Sequence, residues 1–325
     1  MTETLRDVTV LVPGKLHEHA VGRIDKTFRM VRIERGDAAL LDPALAGTVR
    51  GIASMTVIDA AFIDALPKLE IIANMGVGYD IVDARHAASR NVMVTNTPDV
   101  LTEEVADTTI GLLINTVREL PRAEQWLREG RWEREGGYRL THGTLRGRRV
   151  GIFGMGRIGL AVARRLEAFG LPIAYHNRSK VEGVSYAYYP TLLGLAEAVD
   201  TLISVAPGTA STEKAVNAAV LKALGPDGVF VNIGRGSTVD EPALIEALQK
   251  GVIRAAGLDV FADEPRVPQA LIDLPNASLL PHVGSASVHT RNAMAGLVVD
   301  NLISWFSGQG ALTPVPETLH VARRS

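Results

Sequence analysis

VGIFGMGRIG, residues 150–159, decides the fold. A hydrophobic run stops at Gly154, Gly156 and Gly159, which keep G-x-G-x-x-G spacing, and ARRLEAF, residues 163–169, continues as an amphipathic helix. Strand, glycine turn and helix in that order are the setting in which this spacing binds a dinucleotide. The first glycine allows the tight turn, the second lets backbone approach a pyrophosphate, and the third lets helix close on strand. Amide groups at the new helix start, around Arg157 and Ile158, then face the phosphates.

The residues on either side alternate in the same rhythm. RRVGIF, LPIAYH, TLISVA, GVFVNI, RAAGLDV and ASLLP are nearly continuous apolar runs, as expected of parallel strands buried on both faces. Upstream, DVTVLV, FRMVRIE, GIASM, LEIIANM and NVMVT, with helical stretches around 59–66 and 82–90, predict a second, smaller parallel sheet. TEEVADTTIGLLINTVREL, residues 102–120, reads as a long helix with Thr102 as its N-cap, acids in its first turn and Pro121 as its stop. Residues 287–307 read as a helix that returns to the N-terminal domain. The expected architecture is α/β, with two Rossmann-like or flavodoxin-like parallel-sheet domains and a cleft between them. Residues 1–97 plus 288–325 would form the substrate-binding domain and 98–287 the dinucleotide-binding domain. Residues 121–147 predict an arm, and VPETLHVARRS at 315–325 a loosely held terminus.

Composition narrows the function. The 325 residues are 46% hydrophobic and 22% charged with a net charge of −2, which disfavours nucleic acid or an anionic membrane as partner. The absence of cysteine excludes disulfides, thiolate catalysis and cysteine-ligated metals. No apolar run reaches the length of a membrane span, and MTETLRDVTV has no signal-peptide pattern, so a cytoplasmic protein is expected.

Ligands of open α/β sheets bind outside the carboxyl ends of the strands. The chemically capable residues of the second series fall there, one strand after another: Gly154, then Ala206-Pro207-Gly208, then Gly234-Arg235-Gly236, then Asp259, then His282. Taken singly, each is an ordinary loop residue. Together they line one rim.

VGIFGMGRIG, VNIGRGSTVDE, GLDVFADEP and PHVGSAS, in that order, resemble the D-2-hydroxyacid dehydrogenase family. MGVGYDIVD at 75–83 and TPDVLTEEVADTTIGLL at 97–113 extend the resemblance over about residues 70–300. It implies a catalytic set of Arg235, Glu264 and His282. The chemistry agrees with that set. Reducing a 2-oxo acid needs a hydride at C2, a proton for the carbonyl oxygen and an anchor for the carboxylate. A planar guanidinium suits the anchor. An imidazole that changes charge near neutral pH suits the proton, and a paired carboxylate stabilises its charged form and fixes its orientation. Glu264 precedes His282 by 18 residues, so only the fold can pair them.

The resemblance also assigns Val77 and Gly78 to the substrate carboxylate, from a loop whose glycines let successive amides face an anion, with the two domains closing on the substrate. Ser285 joins the substrate set. Thr102 would lie near the cofactor phosphates and Asp259 would receive the nicotinamide carboxamide. Arg157, Ile158, Ala206, Pro207, Thr212, Ile233, Gly234 and Gly284 complete the cofactor set, to which Arg235 and His282 also belong.

Which dinucleotide is read from Asn177-Arg178-Ser179-Lys180, after LPIAYH. NAD-binding chains place an acid there for the ribose 2′-hydroxyl. Two cations and a hydroxyl replace it here and suit a 2′-phosphate, so NADP(H) is preferred, with NAD(H) possible.

Trp126, Trp132 and Tyr138 among arginines and glutamates suggest an interface and a homodimer. His17-Glu18-His19 has poor metal-site spacing, and no metal is expected. The expected reaction is NADPH-dependent reduction of glyoxylate and hydroxypyruvate to D-2-hydroxy acids. Reduction of larger 2-oxo acids, such as hydroxyphenylpyruvate or a ketogluconate, is the alternative, with Met75, Trp132 and Tyr138 as possible pocket walls. A dinucleotide-sensing protein like the corepressors of this fold is a third reading. A formate dehydrogenase fits poorly, since those relatives pair the histidine with Gln.

Overall fold

A computed structural model gives residues 4–322, and the chain divides into two compact units, Met1–Leu101 with Ser287–Ser325, and Thr102–Ala286. The first holds β1 (Thr9–Pro13), β2 (Arg29–Ile33), β3 (Val49–Ser54), β4 (Ile71–Asn74) and β5 (Met93–Thr95), all parallel, in the order β2-β1-β3-β4-β5. Three of the five strands fall inside the apolar runs read from sequence, while β1 runs on to Pro13, which still pairs with Ile33, and β3 begins two residues before its run. The helix Val288–Phe306 packs on β3 and β4 and on the helix Glu18–Thr27. Leu302 and Phe306 come so close to β3 that a Cβ on Gly51 would lie 3.3 and 3.2 Å from them.

The second unit carries β6 (Val150–Phe153), β7 (Ile173–His176), β8 (Ala187–Tyr189), β9 (Thr201–Ser204), β10 (Val229–Asn232), β11 (Ala255–Leu258) and β12 (Ala277–Leu279). They too are parallel, ordered β12-β11-β10-β9-β6-β7-β8. This is a doubly wound sheet whose order reverses between β6 and β9, the place where such folds bind ligands. One apolar layer, with Leu195, Leu221, Phe230 and Leu244, covers one part of it, and a second, with Ile110, Leu113, Ile152 and Tyr175, another. Beneath the strands, buried Arg148 donates to the carbonyls of Asp200 (3.2 Å) and Asp227 (2.7 Å), which precede β9 and β10.

Four expectations are corrected. The sequence reading has no β8, because an edge strand with exposed Ala187 and half-buried tyrosines lacks the continuous apolar run of its neighbours. Thr102 is the first helical residue of Thr102–Arg118 rather than its N-cap. That helix ends at Arg118 because Glu119 turns left-handed (φ 54°), and Pro121 instead opens the next helix, Leu120–Arg128. The arm contains that helix and a second, Arg131–Glu135. The terminus is packed through residue 321, with Val315, Thr318 and Val321 buried, while residues 323–325 lie outside the described residues.

Candidate active site

Arg235, Glu264 and His282 sit on the loops that follow β10, β11 and β12. The fold brings the last two together. His282 Nδ1 lies 2.6 Å from Glu264 Oε2, and Glu264 Oε1 accepts the Phe261 N–H at 3.0 Å. Burial pushes the Glu264 carboxyl up, but the bond to His282, the Phe261 amide and the positive charges of His282 and Arg235 outweigh it and hold the group below the usual carboxylate range. His282 Nε2 has no partner among the described residues, and the side chain is 48% exposed, so this nitrogen is open to a reactant.

A depressed carboxylate adds stability that is present above the unfolded glutamate value of about 4.3 and is lost as pH falls through the lower folded value. Glu264→Gln should therefore melt below the wild type at neutral pH, and the two melting curves should converge as pH drops below about 4. Thermal melts across pH 3–7 check this; a gap that stays constant across that range assigns the loss to shape rather than charge.

His282 itself adopts a left-handed backbone (φ 53°), and Asp259 holds it there. The Asp259 carbonyl accepts the His282 N–H at 2.9 Å. Its carboxylate accepts the Val283 N–H at 2.7 Å and the Gly284 N–H at 2.8 Å. Burial raises the Asp259 pKa, partly offset by those two bonds. The side chain expected to meet a carboxamide thus has a task within the protein, gripping the 282–284 turn. Thr108 Oγ1 donates to the Gly284 carbonyl from the other side (3.1 Å), and Ser285 is buried.

The Arg235 loop is wound just as tightly. Asn232 Nδ2 and Thr238 Oγ1 both donate to the Arg235 carbonyl (2.9 and 2.7 Å), and Arg235 Nη1 donates to the Gly234 carbonyl (3.0 Å). Gly236 lets this loop lie against the backbone leading to Glu264, since a Cβ there would sit 1.9 Å from Phe261 C and O.

The glycine turn fits a dinucleotide on three counts. Gly154 has φ +104° and no room for a side chain, with the Ala206 nitrogen 2.9 Å from its would-be Cβ. A Cβ on Gly156 would meet nothing within 4 Å, which leaves space at the helix start for a pyrophosphate. A Cβ on Gly159 would collide with the Gly154 carbonyl at 2.2 Å. Asn177 Oδ1 accepts the Met155 N–H at 2.6 Å and so ties the end of β7 to this turn. Arg178, Ser179 and Lys180 follow, all exposed and without partners among the described residues.

Other expected contacts are placed as follows. Thr212 Oγ1 donates to the Pro207 carbonyl (2.6 Å) and closes its own loop. Ala206, Ile233 and Thr102 are buried, while Ile158 packs against the core. In the first unit, Val77 and Gly78 are half-buried on the turn after β4, and Met75 beside them is buried. Tyr138 stacks edgewise on Trp126 and donates to Glu119 (2.9 Å), which commits it to the arm. His17 caps the helix Glu18–Thr27 by accepting the His19 N–H.

Residues 110–284 match the family described as D-isomer specific 2-hydroxyacid dehydrogenase, NAD binding domain. The chain belongs to this family. A hydroxyphenylpyruvate reductase from Plectranthus scutellarioides is 46% identical over 95% of this chain and 99% of its own length. A glyoxylate/hydroxypyruvate reductase from Arabidopsis thaliana is 42% identical over 96% and 100%. The crystal structure of an NADPH-dependent glyoxylate/hydroxypyruvate reductase from Sinorhizobium meliloti, in complex with NADP and malonate, is 62% identical, covers 98% of this chain and 99% of its own, and superposes with a TM-score of 0.96.

Two features of this family member escaped the sequence reading. Tyr188 of the unexpected β8 donates to the Asn177 carbonyl (3.3 Å) and Tyr175 accepts the Val181 N–H (3.0 Å), so two phenols hold the ends of the 177–181 turn. Gly236, quoted only as part of a motif, sets how near Arg235 comes to the Glu264 loop.

Proposed function

We propose that this chain uses NADPH to reduce glyoxylate and hydroxypyruvate to D-2-hydroxy acids. The observation that carries the proposal is the His282–Glu264 pair at 2.6 Å, in a chain 62% identical to an NADPH-dependent glyoxylate/hydroxypyruvate reductase. A bound nicotinamide dinucleotide supplies the hydride. Arg235 pairs with the substrate carboxylate and polarises the carbonyl through its planar donors. His282, charged and held by Glu264, gives the Nε2 proton to the carbonyl oxygen as negative charge builds there, and takes it back in the reverse direction. The glycine turn of Gly154, Gly156 and Gly159 holds the pyrophosphate.

Arg178 and Lys180 pair with the 2′-phosphate in this reading. Their freedom from protein partners supports it, because neither has to leave an internal ion pair to do so. Arg178→Ala should weaken NADPH binding by roughly 10- to 100-fold, the worth of a charge-assisted hydrogen bond, and NADH binding by less than about threefold. Fluorescence titration with each cofactor decides it; equal losses would remove the 2′-phosphate role.

A second reading, reduction of larger 2-oxo acids, is favoured by the 46% identity to a hydroxyphenylpyruvate reductase. Following absorbance at 340 nm with glyoxylate, hydroxypyruvate and hydroxyphenylpyruvate, each with NADPH and NADH, separates the two. Fastest turnover of hydroxyphenylpyruvate keeps the mechanism and moves the substrate. The proposal extends to a cytoplasmic homodimer formed through the arm, where Leu127, Trp132 and Leu140 are 51%, 60% and 92% exposed.

A further inference from the structure

The turn after β4 offers its carbonyls to the protein and keeps its amides back. The Gly76 carbonyl accepts from Asn74 Nδ2 (3.2 Å) and the Thr97 N–H (2.9 Å). The Val77 carbonyl accepts from Asn96 Nδ2 at 2.8 Å, and the Gly78 carbonyl accepts from Asn74 Nδ2 at 3.1 Å. In a trans peptide the C=O and the following N–H point in opposite directions. Tying these three carbonyls to the asparagines therefore turns the N–H groups of Val77, Gly78 and Tyr79 away from them. No acceptor among the described residues takes any of the three, and all three residues are only half-buried.

We propose that Asn74 and Asn96 are positioning residues that aim the amides of this turn at the carboxylate of the 2-oxo acid. The proposal rests on the reading of Val77 and Gly78 as the carboxylate site. Only the amino end of an asparagine amide can serve a carbonyl. Asn74 gives that end to two of them although its own Oδ1 is left buried and unpartnered. A side chain arranged for stability alone would satisfy both ends. Gly76 belongs to the same arrangement: a Cβ there would stand 3.1 Å from the Gly78 carbonyl and 3.4 Å from Asn74 Nδ2, wedging apart the bond that sets the turn.

Asn96 is held in turn by the C-terminal segment. Its N–H donates to the Thr313 carbonyl (3.2 Å) and its carbonyl accepts from Thr313 Oγ1 (2.6 Å). Thr313 Oγ1 accepts from Asn301 Nδ2 (2.9 Å), and Asn301 Oδ1 accepts the N–H groups of Leu312 (2.9 Å) and Thr313 (3.1 Å). Asn301 is fully buried on the helix Val288–Phe306. A chain of side chains thus carries the fixity of a core helix to the Val77 peptide. At the far end of the turn, the Tyr79 phenol donates to Glu317 (3.1 Å), and burial together with Glu317 pushes its pKa up to about 12, so it stays a donor at any working pH.

The test compares hydroxypyruvate with its carboxamide, which keeps the reacting carbonyl and removes the negative charge. In Asn96→Ala, KM for the acid should rise about tenfold while the constant for the amide moves less than about twofold, so that the acid-over-amide preference in kcat/KM falls about tenfold. The Kd for NADPH, read by fluorescence, should stay within about twofold. Thr313→Val, which keeps the shape and removes the bracing hydroxyl, should shift the preference the same way by about threefold. Equal losses for acid and amide, or an unchanged preference in both variants, would overturn the proposal. A wild-type enzyme that shows no preference for the acid would instead overturn the carboxylate reading of Val77 and Gly78, and the role of the asparagines with it.

Discussion

His282→Gln lowers kcat for the reduction of hydroxypyruvate by about 100-fold or more, the usual worth of a positioned general acid. The substitution isolates the proton. Glutamine is close to histidine in reach and sets its amide about where Nε2 stood, so a donor toward the reactant remains while the titratable proton is lost. The backbone asks for nothing new, because the left-handed turn at 282 is enforced by Asp259 through the His282 N–H and the amides of Val283 and Gly284. NADPH affinity should therefore stay within about threefold of the wild type and the melting temperature within a few degrees. Turnover near that of the wild type, with binding and stability intact, would take the proton from His282. A loss shared between kcat and NADPH affinity would mean that the ring serves the cofactor instead.

Gly236→Ala should cost about 3 kcal/mol of stability and at least about tenfold in kcat. The added methyl would lie 1.9 Å from both C and O of Phe261 and 2.5 Å from the Ala262 nitrogen. Backbone cannot step aside as a flexible side chain does, so either the Arg235 loop or the segment that carries Glu264 must shift. Asn232 and Thr238 hold the first of these by three hydrogen bonds, including Asn232 Oδ1 to the Gly234 N–H. The Phe261 N–H holds the second through Glu264. Denaturant unfolding reads the stability and steady-state kinetics the turnover. Gly183→Ala, at a glycine with φ +74° and open space around it, is the control for backbone strain without collision. If Gly236→Ala is no worse than that control, the close approach is not what places Arg235.

The second sheet could be read from sequence because parallel strands covered on both faces must be apolar nearly throughout, and VGIF and VFVN are. The same rule hides an edge strand. Ala187–Tyr189 pairs only with β7, is partly exposed, and reads as loop. The Glu264–His282 pairing has no local signature, since the two lie 18 residues apart with a whole strand between them; family resemblance named both residues, and the 2.6 Å contact belongs to the fold. Asn74 and Asn96 were within reach of sequence reasoning. They stand at and just beyond the carboxyl ends of β4 and β5, the rule that singled out Arg235, Asp259 and His282 in the other sheet. Uncharged amides draw less notice than ionisable groups. The terminus misled for a similar reason: Pro, Glu and Thr suggest a solvated strand of chain, whereas Thr318 is buried and donates to the Val94 carbonyl at 3.1 Å.

Chain order gives the two units different histories on the ribosome. Residues 102–286 are one uninterrupted stretch, so every strand of the larger sheet is available once that stretch has emerged. The smaller sheet is finished in sequence at β5, yet the helix Val288–Phe306 that packs on β3 and β4 is made only after the entire other unit. At about 5–20 residues per second, on the order of ten to forty seconds separate the two events. For that interval the apolar face around Gly51 waits for Leu302 and Phe306, and the later-encoded unit is able to complete its core before the earlier one. The unit begun second is the one whose sequence is complete first.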